Sequence, residues 1–241
     1  MFPVAQAPNT THLPLAQLEM FECSSGIDGA QAAFLSTPGV APLAKALAAL
    51  RSNLQLPYPQ NLLRNVARRH CRSEWVVCPD VDMMFPGADS TVRPSWTQRL
   101  ALFLQSPKAQ NCAKCAFVLP LFELENENRT LPADKKQLRK HVDAGRARPY
   151  HAEVFVQNQA ASKLKNWIKR PQASAVDVAY SVQYKFWYEP VFIARHSAPK
   201  FDERYVGYGM TRNTQVRKLT FLLAIVIPKC HTVTLVETVK I

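Results

Sequence analysis

The sequence predicts an α/β protein, and three observations carry that prediction. A basic amphipathic helical pattern over 61–72 gives way at once to a short apolar run, Glu74 to Pro79, of the kind that forms a buried strand. This run ends in two acids, Asp80 and Asp82, at the carboxyl end of the strand, where open α/β sheets meet their ligands. The same order returns at Cys115 to Phe122, an apolar run that leads into Glu123 and the acidic, Asn-rich stretch 125–128.

The elements follow in order. Residues 1 to about 20 are rich in Pro and Thr, lack periodicity and read as a loose lead-in. From Gly26 to Leu56 Ala and Leu dominate, and Leu43, Ala46, Leu47 and Leu50 recur at the spacing of a core-facing helix. In the next helix Leu62, Leu63, Val66 and Ala67 form the expected apolar side, with Arg64, Arg68, Arg69 and Arg72 on a basic exposed side. Those arginines suit either a ligand or a merely solvated face.

At the strand end, residues i and i+2 of extended backbone share a face, so Asp80 and Asp82 can present two carboxylates together. Two hard oxygen donors suit Mn²⁺ or Mg²⁺ bridging to a phosphate-bearing ligand. The alternative is a turn in which both acids cap backbone amides.

Further on, Trp96 to Leu104 is helical, and Asp134 with Gln137 has capping-box spacing for a short helix over about 134–144. A basic linker with Arg146 and Arg148 follows, then a basic stretch with Trp167 from Lys163 to Arg170, and an aromatic-rich extended stretch from Asp177 to Phe192. Within the last, Tyr184-Lys185-Phe186-Trp187-Tyr188-Glu189-Pro190 sets flat rings beside a carboxylate, as sugar sites do, though a half-buried strand explains the same residues.

Composition narrows the function. With 30 Lys plus Arg against 18 Asp plus Glu, the net charge of +12 favours polyanionic partners such as nucleotide phosphates, acidic glycans or nucleic acid. Only 7 Gly stand against 18 Pro, and neither G-x-G-x-x-G nor G-x-x-x-x-G-K occurs, which removes Rossmann and P-loop sites. The 6 cysteines are too sparse for a disulfide framework, and Cys112-x-x-Cys115 lacks a matching second pair for zinc, since Cys71 and Cys78 are spaced too widely. No nucleophile elbow supports a Ser-His-Asp hydrolase, and no RNA- or DNA-binding motif accompanies the basic helices, so no nucleic acid is expected. Residues Met1 to Leu18 lack the pattern of a signal peptide, and the longest late apolar run, Leu219 to Ile227, is far short of the roughly 20 residues of a membrane span.

Five segments in order carry a resemblance: Tyr58-Pro59-Gln60-Asn61-Leu62-Leu63-Arg64-Asn65-Val66-Ala67, Asp80-Val81-Asp82-Met83, Phe117 to Glu123, Tyr188-Glu189-Pro190-Val191, and Phe201-Asp202-Glu203-Arg204-Tyr205-Val206-Gly207-Tyr208-Gly209. Together they resemble glycosyltransferase family 49, the family of the β-1,4-glucuronyltransferases and the LARGE-type glucuronyltransferase domains. The resemblance implies a GT-A-like nucleotide-sugar transferase fold, a mixed central sheet flanked by helices. It implies Mn²⁺-dependent inverting transfer of a sugar, glucuronic acid first, from a UDP donor to a glycan acceptor on a glycoprotein. Asp80 and Asp82 fall on the family's D-x-D as metal ligands, with Asn61, Arg64 and Asp80 on the donor side. Asp202 is the first choice for the base that takes the acceptor proton, with Glu203 and Glu189 as alternatives.

By this resemblance 57–216 is the transferase domain, 1–56 an irregular and helical segment before it, and 217–241 an apolar, basic tail that departs from the family. Family members continue beyond both limits, with a signal-anchor helix and first nucleotide-binding strand ahead and a late metal-binding histidine behind, a role not carried over to His231. The fold is therefore expected to be incomplete, and an inactive glycan- or polyanion-binding fragment is the alternative function. Family members are type II proteins of the Golgi lumen, attached to the membrane through an anchor not seen in this chain. The sequons at Asn9 and Asn128 would be used only in such a compartment.

Overall fold

The structure, a computed structural model, describes residues 39–80, 83–85, 94–125, 131–173, 175–207, 209–226 and 233–236. Asp82, Tyr208, Asn9 and Asn128 lie outside the described residues, as do 1–38 of the expected lead-in. The chain divides into two compact units, Met1–Pro57 and Tyr58–Ile241.

In the first unit a helix, α1, spans Val40–Asn53. The expected helix is present, but Leu47 and Leu50 are more than half exposed, contrary to the core-helix reading. Ala and Leu suffice for helical backbone by propensity; burial additionally needs a facing surface.

The second unit is mixed α/β. Its elements run α2 (Gln60–His70), β1 (Trp75–Val77), α3 (Trp96–Gln105), α4 (Pro107–Gln110), β2 (Ala116–Leu119), β3 (Phe122–Leu124), α5 (Lys135–Asp143), β4 (Ala147–Pro149), α6 (Leu164–Lys169), β5 (Val178–Val182), β6 (Val191–Arg195), α7 (Thr211–Val226) and β7 (Val233–Val236). Five strands form one sheet in the order β1-β6-β2-β7-β5, and β3 pairs with β4 in a small antiparallel sheet. In the larger sheet only β2 and β7 run parallel; β1–β6, β6–β2 and β7–β5 are antiparallel.

The central position of β2 explains its composition. Ala116, Phe117, Val118 and Leu119 are all buried, as expected for a strand covered on both faces. Alternation then divides two cores: Phe117 and Leu119 join Phe103, Ala109, Val191 and Ile193, whereas Val118 joins Leu138, Leu164, Trp167, Tyr188 and Val216. Helices α3 and α4 therefore cover one face, and α5, α6 and α7 the other. Pro120 ends β2 and separates it from β3, so the predicted single run over 115–122 is two strands in two sheets.

The caps follow local chemistry. At α3, Ser95 Oγ accepts from Gln98 N while Gln98 Oε1 accepts from Ser95 N, a complete capping box. At α5, Asp134 Oδ1 accepts from Gln137 N at 2.8 Å, but Gln137 reaches back to Ala133 N rather than to Asp134. The aromatic stretch 177–192 splits into β5, a loop over 183–190 and the start of β6, so the half-buried-strand reading of Tyr184 to Pro190 does not hold.

Helix α7 runs straight across the expected boundary at 216/217. Val216 and Leu219, together with Gln215, bury one side of it, and its first turn supplies residues to the site described next.

Candidate active site

The site is organised by α2, and α2 is inverted relative to its apolar pattern. Its buried residues are Asn61, Asn65 and Arg68, one helical face at i, i+4 and i+7, while Leu62 and Leu63 are about two-fifths exposed. This corrects the expected apolar-inward facing. The physical reason is that the inward face meets the backbone of 196–202 and not apolar side chains.

Asn65 Nδ2 donates to Phe201 O at 2.9 Å, and Asn65 Oδ1 accepts from Phe201 N at 2.9 Å, a strand-like pair made by one side chain. Arg68 donates to the carbonyls of His196, Ala198 and Pro199. Asn61 Nδ2 donates to Asp202 O at 2.8 Å and to Thr211 O at 3.3 Å. Each carbonyl would carry a desolvation cost of about 1–3 kcal/mol without its donor. The Gly207 N–H donates to Tyr58 O, and Gly207 takes φ +87°, a left-handed conformation that glycine adopts without strain.

This packing aims two arginines at one carboxylate. Arg64 Nη2 and Arg212 Nη2 each donate to Asp80 Oδ1 at 2.6 Å. Arg64 Nη1 is further held by Asn61 Oδ1 and Thr211 Oγ1, both at 3.3 Å, and its guanidinium lies 5.1 Å from the centre of the Phe201 ring. The side chains of Arg64 and Arg212 are 10% and 7% exposed, whereas that of Asp80 is 31% exposed. Burial, then the neighbouring Arg212, lowers the Arg64 pKa from its ordinary value, with Asp80 opposing. Two cations on one carboxylate leave an excess of positive charge, and guanidinium forks match phosphate oxygens.

The carboxylates considered for the base differ in surroundings. Asp202 is buried and receives Arg204 Nη2 at 2.7 Å and Lys218 Nζ at 3.0 Å, which hold its carboxyl well below the usual range. Such a group is a weak proton acceptor at neutral pH. Glu203 is exposed and accepts from Asn65 Nδ2 at 2.8 Å. Glu189 is half-buried; its carboxylate accepts from Asn158 Nδ2 at 3.0 Å and from the Asn213 N–H at 3.3 Å. Asn213 adjoins Arg212, so Glu189 is joined to the Asp80 cluster through the first turn of α7.

The expected residues therefore separate. Arg64 and Asp80 meet, with Arg212 as a third member that the sequence reading missed because it stands beyond the last matched segment, Phe201 to Gly209, at the start of a helix that no local motif tied to Asp80. Asn61 is fully buried and spends its amide on Arg64 and two carbonyls, which holds Arg64 and the 202 and 211 backbone in place. A basic residue after a Gly-rich turn at a helix start is the signal that could have found Arg212.

Among the described residues no cluster of three or more His, Cys, Asp or Glu is placed to hold a metal. The chemistry of Asp80 nevertheless suits a hard divalent cation: it is a carboxylate, partly open to solvent, at the end of a strand. Cys112 and Cys115 are joined in a disulfide, which closes the zinc reading, while Cys78 is a free thiol and the Cys71 sulfur lies 2.9 Å from Ser73 Oγ. Burial pushes the Cys78 thiol up. A cavity of about 20 Å³ between Arg68, Cys78, Arg212 and Gln215 has room for a single water and none for a sugar.

Comparison with known proteins agrees. The family model of a glycosyl-transferase for dystroglycan matches residues 6–222, which extends well ahead of the Tyr58 segment. Beta-1,4-glucuronyltransferase 1 of Bos taurus is 31% identical over 162 residues, 67% of this chain and 36% of that protein. The same-named protein of Danio rerio is 30% identical over 173 residues, 71% of this chain and 37% of its own length. The xylosyl- and glucuronyltransferase LARGE1 of Gallus gallus is 27% identical over 163 residues, 67% of this chain and 20% of that protein. The chain thus spans about a third or less of the length of the curated relatives it matches. With a family match over residues 6–222, most of its length, this chain belongs to glycosyltransferase family 49.

Proposed function

We propose that this chain carries the donor site of a UDP-sugar transferase, moving glucuronic acid from UDP to a glycan acceptor with inversion, on a GT-A-like fold. The observation that carries the reading is the Arg64–Asp80–Arg212 cluster just after β1, a net-cationic site whose arginines are buried and whose carboxylate is partly open to solvent. A diphosphate supplies the anionic oxygens that such forks bind.

Asp80 and Asp82 would hold a Mn²⁺, which when bound neutralises charge developing on the UDP leaving group. Arg64 and Arg212 fix the Asp80 carboxylate and add positive charge on the same side. In the displacement an acceptor hydroxyl oxygen bonds to the anomeric carbon as that carbon's bond to the phosphate oxygen breaks, and the hydroxyl proton passes to a carboxylate. We place that base at Glu189, which is partly exposed and hydrogen-bonded to neutral donors, in preference to Asp202, which two cations neutralise.

The Cys112–Cys115 disulfide supports residence in an oxidising compartment, and family membership favours the Golgi lumen. Among the described residues no helix is long and apolar enough to cross a membrane, so attachment to the Golgi membrane would use another segment.

The test is calorimetric titration of the chain with UDP in Mn²⁺ and in chelator, with Asp82→Ala as the variant, followed by a transfer assay with UDP-glucuronic acid. Binding that requires both Mn²⁺ and Asp82 supports the donor site. UDP binding without turnover identifies the non-catalytic binding fragment, and a folded chain that does not bind UDP contradicts the proposal.

A further inference from the structure

Away from the donor cluster, two exposed aromatic side chains stand together. Phe186 and Trp187 are 57% and 39% exposed, with ring centres 4.6 Å apart and planes at 63°. Phe155, from a segment about thirty residues earlier, meets Trp187 edge-on at 5.8 Å. Val154 and Val156, 81% and 56% exposed, flank Phe155. Large rings normally fold inward, since burial of such a ring contributes on the order of 2–3 kcal/mol. Neighbouring Tyr188 does so, fully buried and hydrogen-bonded to Ser162 at 2.6 Å.

The backbone is held in a costly conformation to keep this arrangement. Trp187 has φ +71° and His151, at the start of the partner loop, φ +57°. A bulky residue in the left-handed region costs on the order of 1–3 kcal/mol and persists only where its surroundings over-determine it. Those surroundings are visible. The Glu189 N–H donates to Asn158 O at 3.0 Å, Asn158 Nδ2 donates back to Glu189 Oε2, and Gln159 Nε2 donates to Glu189 O. Buried Asn158 and Gln159 thus lock the 150–162 and 183–190 loops together next to the rings in sequence.

The loop that carries the rings is also linked to the donor cluster by hydrogen bonds. Trp187 stands two residues before Glu189, Glu189 accepts from the Asn213 N–H, and Arg212 beside it donates to Asp80.

We propose that Phe155, Phe186 and Trp187 form the acceptor subsite, on which the apolar C–H face of a pyranose stacks with its hydroxyl edge toward Glu189. The occupant is a neutral sugar ring and not an apolar peptide, because Phe155 and Phe186 stand edge-on to Trp187, which leaves a single indole face, the size of one pyranose, beside a loop that carries a carboxylate and amides able to meet hydroxyls. This assignment rests on the transferase reading for its biological meaning, but its binding is measured separately.

The experiment uses the full chain with methyl β-D-xylopyranoside and methyl β-D-galactopyranoside as probes, read by saturation-transfer NMR, beside UDP calorimetry on the same samples. Trp187→Gly removes the ring while suiting φ +71°, and Phe186→Ala removes a second ring without touching the strained residue. Expected is saturation of the pyranose C–H protons by the wild-type chain, at least tenfold weaker in Trp187→Gly and several-fold weaker in Phe186→Ala. UDP affinity should stay within twofold in both, and circular dichroism should be unchanged. Asp80→Asn should weaken UDP and leave the glycoside signal intact. Glycoside signals that survive both ring variants, or a folded wild type that gives none with either probe, overturn the subsite. Loss of UDP binding alone counts against the donor reading and leaves the subsite standing.

Discussion

Helices α2 and α6 bury one face each and satisfy that face by different physics. α6 buries Leu164, Trp167 and Ile168 against the sheet, with Trp167 fully enclosed and the Lys135 ammonium 4.2 Å from its ring centre. Its stability scales with apolar area removed from water and is indifferent to the sequence of the neighbouring backbone. α2 buries two asparagines and an arginine, whose desolvation is offset by carbonyls, an N–H, the Glu203 carboxylate and the Arg64 guanidinium in the right places. A face of the first kind supplies stability. A face of the second kind fixes the position of a loop, here the one that carries Phe201, Asp202 and the approach to α7.

The largest expected effect belongs to the apolar face. Trp167→Ala should lower stability by about 3–5 kcal/mol in a urea titration, since the vacated volume lies at the centre of a core.

Next comes Asn65→Ala, which strands the Phe201 N–H and C=O and should cost about 1–3 kcal/mol. Its sharper signature is local: amide exchange should accelerate over 196–207 while α6 stays protected, so a uniform loss of protection would break the comparison.

Smaller again is the acid response of the loop. Asp202 has a folded pKa below its unfolded value, so the unfolded chain binds the extra proton and stability rises with pH. The contribution is present above about pH 4, the unfolded value, and is lost as pH falls toward the folded one. Urea midpoints measured from pH 6 down to pH 3 should therefore fall more steeply in wild type than in Asp202→Asn. Equal slopes would mean that Arg204 and Lys218 do not hold this carboxylate in solution.

The smallest effect is expected on the outward side of α2. Leu63→Gln should change stability by no more than about 0.5 kcal/mol, because the side chain is 43% exposed. A loss of about 2–5 kcal/mol would instead restore the apolar-inward facing that the sequence pattern suggests.

That pattern marks the limit of what was legible. The existence of α2, β1, α3, β2 and α5 was readable because periodicity, an apolar run or a cap announces each locally. The facing of α2 was not, since its partners are carbonyls more than 100 residues away and periodicity assumes that apolar residues turn inward. Arg64 and Asp80 were nameable from their positions around a strand end, but Arg212 was not. It stands on a helix whose later turns read as divergent tail, and only the fold brings it 2.6 Å from Asp80. The aromatic stretch was visible as composition, whereas its division into buried Tyr188 and exposed Phe186 and Trp187 depends on a loop conformation that sequence spacing does not encode.

The most direct measurement is UDP affinity, in Mn²⁺, of wild type and Arg212→Lys. Lysine keeps the charge but loses the planar fork. If α2 and α7 together build a diphosphate site around Asp80, the variant should bind UDP at least tenfold more weakly with its fold intact. Equal affinity in a folded variant would show that the Arg64–Asp80–Arg212 cluster is a structural ion pair and that the donor binds elsewhere.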